Sequence, residues 1–365
     1  MEKNFTALGF MSGTSGDGVD SSVINSNGED NINIKYNRFD PYPTDLSKKI
    51  HKLRDNILEI KDILKYSLEI EKLEREITDF HADIAIKISK NFEFELIGFH
   101  GHTIFHNPEL KISKQIGLGN ILSKITNKTV VYDFRQNDIK NGGEGAPLSP
   151  IYHLSLIRAL FDKKKIKIPI TILNIGGISN ITEIGENFSF SSTDIGPGNC
   201  LIDKWVRKNS DKFYDKNGNL AKIGKIDKFI FDQYLENYYY SKLNYKRSLD
   251  INEFDISFAK GLSLENGAAT ITDITAEIIS KKIGKSNIYV CGGGRKNTTL
   301  IGLLKDKTKS KIYKIDELQV DGDYIESQAF AFLAIRSYLN LPISFPSTTN
   351  CDVPCVGGII VKNFN

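Results

Sequence analysis

Leu8-Gly9-Phe10-Met11-Ser12-Gly13-Thr14-Ser15-Gly16-Asp17-Gly18-Val19-Asp20 is the stretch whose reading decides the fold. An apolar run enters it, and an alternating β-branched run, Val19 to Ile24, leaves it. Between them stand glycines, hydroxyl side chains and Asp17, the pattern of a hairpin whose tight turn exposes backbone N–H groups. Glycine carries no Cβ, so a phosphate can approach the main chain closely there. Ser12, Thr14 and Ser15 add neutral donors, and Asp17 or Asp20 offers a carboxylate to a metal or a water. Read alone, the segment equally suits a Gly/Ser-rich surface turn. A similar arrangement later in the chain tips the balance toward binding.

Working outward, Ile32 to Phe39 alternates and reads as a third strand. From about Asp45 to Lys90 the period becomes helical: Leu46, Ile50, Leu53 and Ile57, then Ile70, Leu73, Ile77, Ile84 and Ile88. Glu95 to His100 reads as a strand ending in Gly101-His102-Thr103, and Lys128 to Asp133 as another ending in Phe134-Arg135. A loop, Asn141 to Pro147, precedes a helix from Leu148 to about Phe161. The second half repeats the order. Strands are expected at Ile168–Ile175, Ile178–Ile184, Phe188–Thr193, Asn287–Cys291 and Lys311–Ile315. Helices are expected around Trp205, over Leu264–Ile283 with Ser263 as N-cap, and over Ile325–Leu339. Two tandem units, each a three-strand meander followed by alternating helices and strands, predict a mixed sheet in each. The natural site is a cleft between them, at turns and strand ends.

A chain of 365 residues suffices for two domains of about 150 residues each. Hydrophobic residues at 40% argue against disorder. A net charge of +3, with lysines spread along the chain, argues against a nucleic-acid partner. The basic run Lys163-Lys164-Lys165 reads as a solvated loop before a strand. No apolar run approaches the roughly 20 residues of a membrane span, and the N-terminus leads straight into a strand-like segment without a secretory pattern. Cys200, Cys291, Cys351 and Cys355 match no zinc or redox spacing. Reduced cysteines in a cytoplasm are the expectation.

Three glycine-rich segments, 12–18, 194–199 and 292–294, each follow a strand directly. Together they suit the phosphates and nucleoside of a nucleotide. Neither a P-loop nor a Rossmann fingerprint is present. Asp194, with Gly196 and Gly198 beyond it, reads as a strand-end carboxylate that takes a proton from a hydroxyl or water in phosphoryl transfer, or as an Asx-turn cap. His102 and His106 have metal-ligand spacing only on a helix, which Gly101 and Pro108 oppose. Substrate hydrogen bonding by one or two of His100, His102 and His106 is the preferred reading. Arg135 and Asp138 suit a carboxylate and sugar hydroxyls, or a loop salt bridge. Glu326 reaches a metal-bound water, or favours a helix N-terminus through the dipole.

Met11 to Ser15 with Asp17-Gly18-Val19-Asp20 resembles the opening signature of anhydro-N-acetylmuramic acid kinases. So do Asn174 to Thr182, Asp194 to Asn199, Cys291 to Gly294, and Glu326, in the right order. The resemblance spans residues 9 to about 358. It implies an α/β fold of two related RNase H-like lobes, of the sugar kinase, actin and Hsp70 superfamily, each a mixed five-stranded sheet flanked by helices around a nucleotide cleft. The lobes would be residues 1–140 with 341–365, and residues 141–340. It implies ATP-dependent phosphorylation of O6 of the 1,6-anhydro sugar while water opens the bridge at C1, in peptidoglycan recycling. Asp194 falls on the general base. Ser12, Gly13, Thr14, Ser15, Gly16 and Asp17 fall on a phosphate cradle. Gly176, Gly177, Gly196, Gly198, Asn199, Gly292, Gly293, Gly294 and Asn297 fall on the rest of the nucleotide site. His100, His102, Thr103, Arg135, Asp138, Glu144 and Glu326 fall on the sugar side. Mg²⁺ is the implied charge partner, with Asp17 the candidate ligand, and a homodimer is an open expectation. The chain departs from the family's pattern at Gly16, His102, Gly117-Leu118-Gly119, Glu144, Ile195 and Ile251. The nucleotide-side motifs are kept better than the sugar-side ones. A kinase for a different sugar and a non-catalytic nucleotide binder are the rival readings.

Overall fold

The computed structural model describes residues 3–13, 16–163, 166–245 and 248–362. Thr14 and Ser15, both expected in the phosphate cradle, lie outside the described residues. The chain forms two compact units, Met1–Ile166 with Tyr324–Asn365, and Lys167–Asp323. These bounds differ from 140 and 340 because the helices Pro150–Asp162 and Ile325–Tyr338 belong to the first unit. There the Tyr152 hydroxyl donates to Gln328 Oε1 at 2.7 Å.

In the first unit, β1 (Phe5–Ser12), β2 (Gly18–Ser26) and β3 (Ile32–Pro41) form the antiparallel meander. β4 (Leu96–Asn107) pairs parallel with β1, and β6 (Thr129–Tyr132) parallel with β4. The order is therefore β3-β2-β1-β4-β6. Two strands extend it beyond the expected five, to seven: β5 (Ile112–Ile116) folds back on β4, and β12 (Ile359–Val361) pairs antiparallel with β6. Alternation along β1 sends Leu8 and Phe10 to one face, where they pack with Ile50, Ile77 and Phe99. Gly9 faces the other side. A Cβ there would stand 2.1 Å from Ser327 O, and one on Gly98 would stand 2.1 Å from Phe330 O. Glycine at both positions lets the helix Ile325–Tyr338 lie directly on the sheet.

In the second unit, β7 (Ile170–Ile175), β8 (Ile178–Ile184) and β9 (Phe190–Pro197) repeat the meander. β10 (Asn287–Cys291) is parallel to β7, and β11 (Ile312–Lys314) parallel to β10. The order β9-β8-β7-β10-β11 reproduces that of the first sheet strand for strand. The helix Leu264–Lys282 covers it, starting where the Asn266 N–H donates to Ser263 Oγ at 3.2 Å. Leu173, Ile181, Ile195, Ile279 and Val290 fill its core.

Candidate active site

In the second unit, Asp194 lies inside β9 rather than at its end. The register runs Ser179 opposite Gly196 and Asn180 opposite Asp194, which leaves Ile195 unmatched. This β-bulge turns Ile195 into the core and leaves the neighbouring Asp194 half-buried. The Leu249 N–H donates to Asp194 Oδ2 at 2.8 Å and fixes the carboxylate's orientation.

The glycine segments of this unit meet at the C-terminal end of β7. The Gly198 N–H donates to Gly177 O at 2.9 Å and the Asn199 N–H to Gly176 O at 2.8 Å. The Asn199 side chain reaches Ile175 O at 3.3 Å and Gly176 O at 3.1 Å. Gly292 adopts φ +76°, and a Cβ there would stand 2.4 Å from Asn174 Oδ1. A Cβ on Gly293 would meet nothing within 4 Å, so the main chain there is open to a ligand. Strand C-terminal ends are where ligands settle in α/β sheets.

Arg295 braces this loop from behind. Its guanidinium, 4% exposed, donates to Asp316 at 2.8 and 3.1 Å, to Asp323 at 2.6 Å and to Gly292 O at 3.2 Å. Burial alone would lower its pKa, but the bonds to Asp316 and Asp323 raise it above the ordinary value. Asn297, expected at the nucleoside, is buried, and its side-chain oxygen caps the helix Thr298–Lys307 by accepting from the Leu300 N–H at 3.0 Å.

In the first unit, the β1–β2 turn closes with the Gly16 N–H on Gly13 O at 3.1 Å, and Gly16 adopts φ +62°. The Tyr42 N–H on Asp17 O at 2.9 Å and Ser47 Oγ on Gly16 O at 2.8 Å pin it from outside. The Asp17 side chain is exposed. Ser12 is 2% exposed; its Oγ accepts from the Tyr42 hydroxyl at 2.9 Å and lies 2.9 Å from His102 Nδ1. His102 is fully buried beneath the turn. Burial first, then Coulombic interactions with Arg54, His51 and His81, push its pKa down to about 3.

His100 is buried too. It stacks near Phe330 with ring centroids 4.4 Å apart, and its Nε2 meets Arg135 Nη2 at 2.9 Å. Arg135 Nη1 donates to Gly145 O at 2.6 Å. Asp138, 1% exposed, accepts from the Gly145 N–H at 2.7 Å and the Thr349 hydroxyl at 2.6 Å. A Cβ on Gly143 would stand 2.2 Å from Asp138 Oδ2. Arg135 and Asp138 thus hold the Gly142–Gly145 loop rather than each other. Glu144 joins this loop to Asn350, whose Nδ2 donates to Oε1 at 2.8 Å. The Thr103 hydroxyl accepts from Gln115 Nε2 at 3.1 Å. Glu326 is half-buried in the first turn of its helix.

Sequence reasoning missed Tyr42, Arg295, Glu74 and Thr78. Glu74 and Thr78 anchor the Gly117–Leu118 segment, accepting its N–H groups at 2.9 and 3.0 Å. Their i, i+4 spacing on one helix face was the available signal. All four cysteines are buried and free. Among the described residues no group of three or more His, Cys, Asp or Glu gathers as a metal centre, and no helix is long and apolar enough to cross a membrane.

Two sheets whose five shared strands run in the same order, each bearing glycine turns where its strands end, define a duplicated mixed α/β fold. The pattern of the anhydro-N-acetylmuramic acid kinase family matches residues 5–363, and the chain belongs to that family. It is 48% identical to the anhydro-N-acetylmuramic acid kinase of Pelagibacter ubique (strain HTCC1062) over 379 aligned positions, covering 100% of both chains. It is 36% identical to that of Brucella canis, covering 98% of each. The protein is a kinase, a phosphotransferase that uses ATP.

Proposed function

We propose that this protein opens the 1,6-anhydro ring of anhydro-N-acetylmuramic acid with water and phosphorylates O6, giving N-acetylmuramic acid 6-phosphate and ADP in peptidoglycan recycling. Water attacks C1 as its proton passes to Asp194, and the new C1–O bond forms while the C1–O6 bond breaks. The released O6 then attacks the γ-phosphorus, and the bond from phosphorus to the ADP oxygen breaks. Three residues act on the reacting groups or the loops beside them. Asp194, oriented by Leu249 N–H, is the base. Arg135 and Asp138 shape the Gly142–Gly145 loop on the sugar side. The turns 176–177, 196–199 and 292–294 converge, and the main chain at Gly293, where a Cβ would meet nothing within 4 Å, is the open backbone for the nucleotide.

Mg²⁺ fits this donor set without a protein-built cage. Magnesium keeps most of its waters and binds through one or two carboxylates plus phosphate oxygens. Asp17, exposed beside the β1–β2 turn, is the carboxylate for it. When bound, the ion neutralises developing charge on the β- and γ-phosphate oxygens. A cytoplasmic location suits the four free cysteines.

The observation that carries this reading is the family match across nearly the whole chain. The test is a coupled ADP assay with purified anhydro sugar, with and without magnesium. ADP release that ignores the anhydro sugar, or that follows an ordinary hexosamine instead, refutes it.

A further inference from the structure

Gly101 sits inside β4 at φ +73°, where a Cβ would stand 2.4 Å from Ile116 O. The β1–β4 register shifts there. Phe10 lies opposite Phe99, but Ser12 lies opposite His102 rather than residue 101. The irregularity thus brings a hydroxyl and an imidazole together under the root of the β1–β2 turn, at 2.9 Å.

The hydrogen-bond count at this point is small enough to close. Tyr42 donates to Ser12 Oγ. His102 Nε2 is buried and has no partner. If Ser12 donates to Nδ1, the neutral imidazole carries its proton on Nε2, leaving one buried N–H unmatched. If Nδ1–H donates to Ser12, both lone pairs of Oγ are occupied and its own proton must find another acceptor. Without a ligand the second pattern leaves the hydroxyl proton and the Nε2 lone pair both unmatched, so the first is preferred. With an anionic oxygen at the turn, the second satisfies every donor and leaves only a lone pair bare. That is the cheaper deficit in a protein interior.

We propose that Tyr42 and His102 are positioning residues for Ser12: they present its hydroxyl proton to an anionic phosphate oxygen at the Gly13–Gly16 turn, and His102 exchanges tautomers as that oxygen arrives. Nε2 gives its proton to solvent as Nδ1 takes one from solvent, so one proton leaves as one enters and the imidazole stays neutral throughout. Arg54, His51 and His81 face it and oppose its protonation. Gln at position 102 would supply an amide donor to Ser12 and has no tautomer to exchange. The inference rests on the nucleotide role proposed for this turn.

The test is ¹⁵N histidine spectroscopy of the full chain, free and saturated with a non-hydrolysable ATP analogue, beside ATP kinetics of H102Q, H102L and Y42F. Nε2 is expected to be protonated in the free protein and Nδ1 in the complex. KM for ATP is expected to rise about tenfold in H102L and severalfold in Y42F, with kcat falling less, while H102Q stays within about threefold. If H102L fails to fold, Y42F and the spectra decide. A His102 tautomer unchanged by the analogue, or folded H102L and Y42F with wild-type KM, overturns the inference alone. An analogue that does not bind the wild-type chain overturns the nucleotide reading and takes the inference with it.

Discussion

Replacing Arg295 by methionine tests whether the Gly292–Gly294 loop, proposed above for the nucleotide, is held by charge. The guanidinium is 4% exposed and makes three bonds to carboxylates, at 2.6, 2.8 and 3.1 Å, besides the one to Gly292 O. Removing one partner of a buried ion pair costs roughly 3–5 kcal/mol. The side chains of Asp316 and Asp323 are 40% and 33% exposed, so water screens part of what they lose. The low end, about 3 kcal/mol, is therefore the expectation. At roughly 2–4 °C per kcal/mol for a unit of this size, the melting temperature should fall by about 6–12 °C. Lysine keeps the charge but loses the fork, so R295K should recover less than half of the loss. Scanning calorimetry reads the stability, and KM for ATP reads the loop, which should rise in both variants. Melting within 1 °C of wild type in R295M, or a lowered melting temperature with unchanged KM in both variants, would refute the reasoning.

Acid should weaken the first unit before carboxylates titrate. His81, His102 and His153 are buried and neutral and His106 is half-buried, their pKa values pushed by desolvation from 6.5 to about 4, 3, 3 and 3. Their folded-state values lie below the unfolded one, so the stability they contribute is complete above pH 6.5 and lost as pH falls toward those values. Each costs up to about 1.4 kcal/mol per pH unit in that window, and a urea midpoint unchanged between pH 7 and pH 5 would contradict this. D138N should lose about 2–3 kcal/mol, because an amide cannot accept from both the Gly145 N–H and the Thr349 hydroxyl as a carboxylate does, and KM for the sugar should rise. Equal denaturation midpoints for D138N and wild type would exclude that role. G292A combines a φ of +76° with a Cβ 2.4 Å from Asn174 Oδ1, so it should raise KM for ATP severalfold while the far-ultraviolet spectrum stays native.

The repeated meander was legible because its signals are periodic. Alternation marks β1–β3 and β7–β9, and the change to helical spacing marks the crossovers. β12 was not legible: three residues pair with β6 more than two hundred positions away, and nothing local announces the partner. β5 was hidden by its polar Ser113-Lys114-Gln115 centre. The bulges were invisible for a different reason. At Ile195 and Gly101 one extra residue reverses which face the following side chains occupy. The glycines after Asp194 made it read as a strand end, although β9 runs on to Pro197. The glycine segments of the second unit could be picked out together, since close backbone approach demands that residue and little else does. The capping role of Asn297 was not legible, because helix caps and ligand contacts draw on the same amide.

The most direct measurement is anhydro-sugar-dependent ADP formation by D194N beside wild type, with melting temperatures taken on the same samples. Asparagine still accepts from the Leu249 N–H, so the fold should hold. Turnover should fall by about 10²–10⁴-fold, the usual worth of a positioned base. Turnover within a few-fold of wild type in a folded D194N would show that another group takes the water's proton.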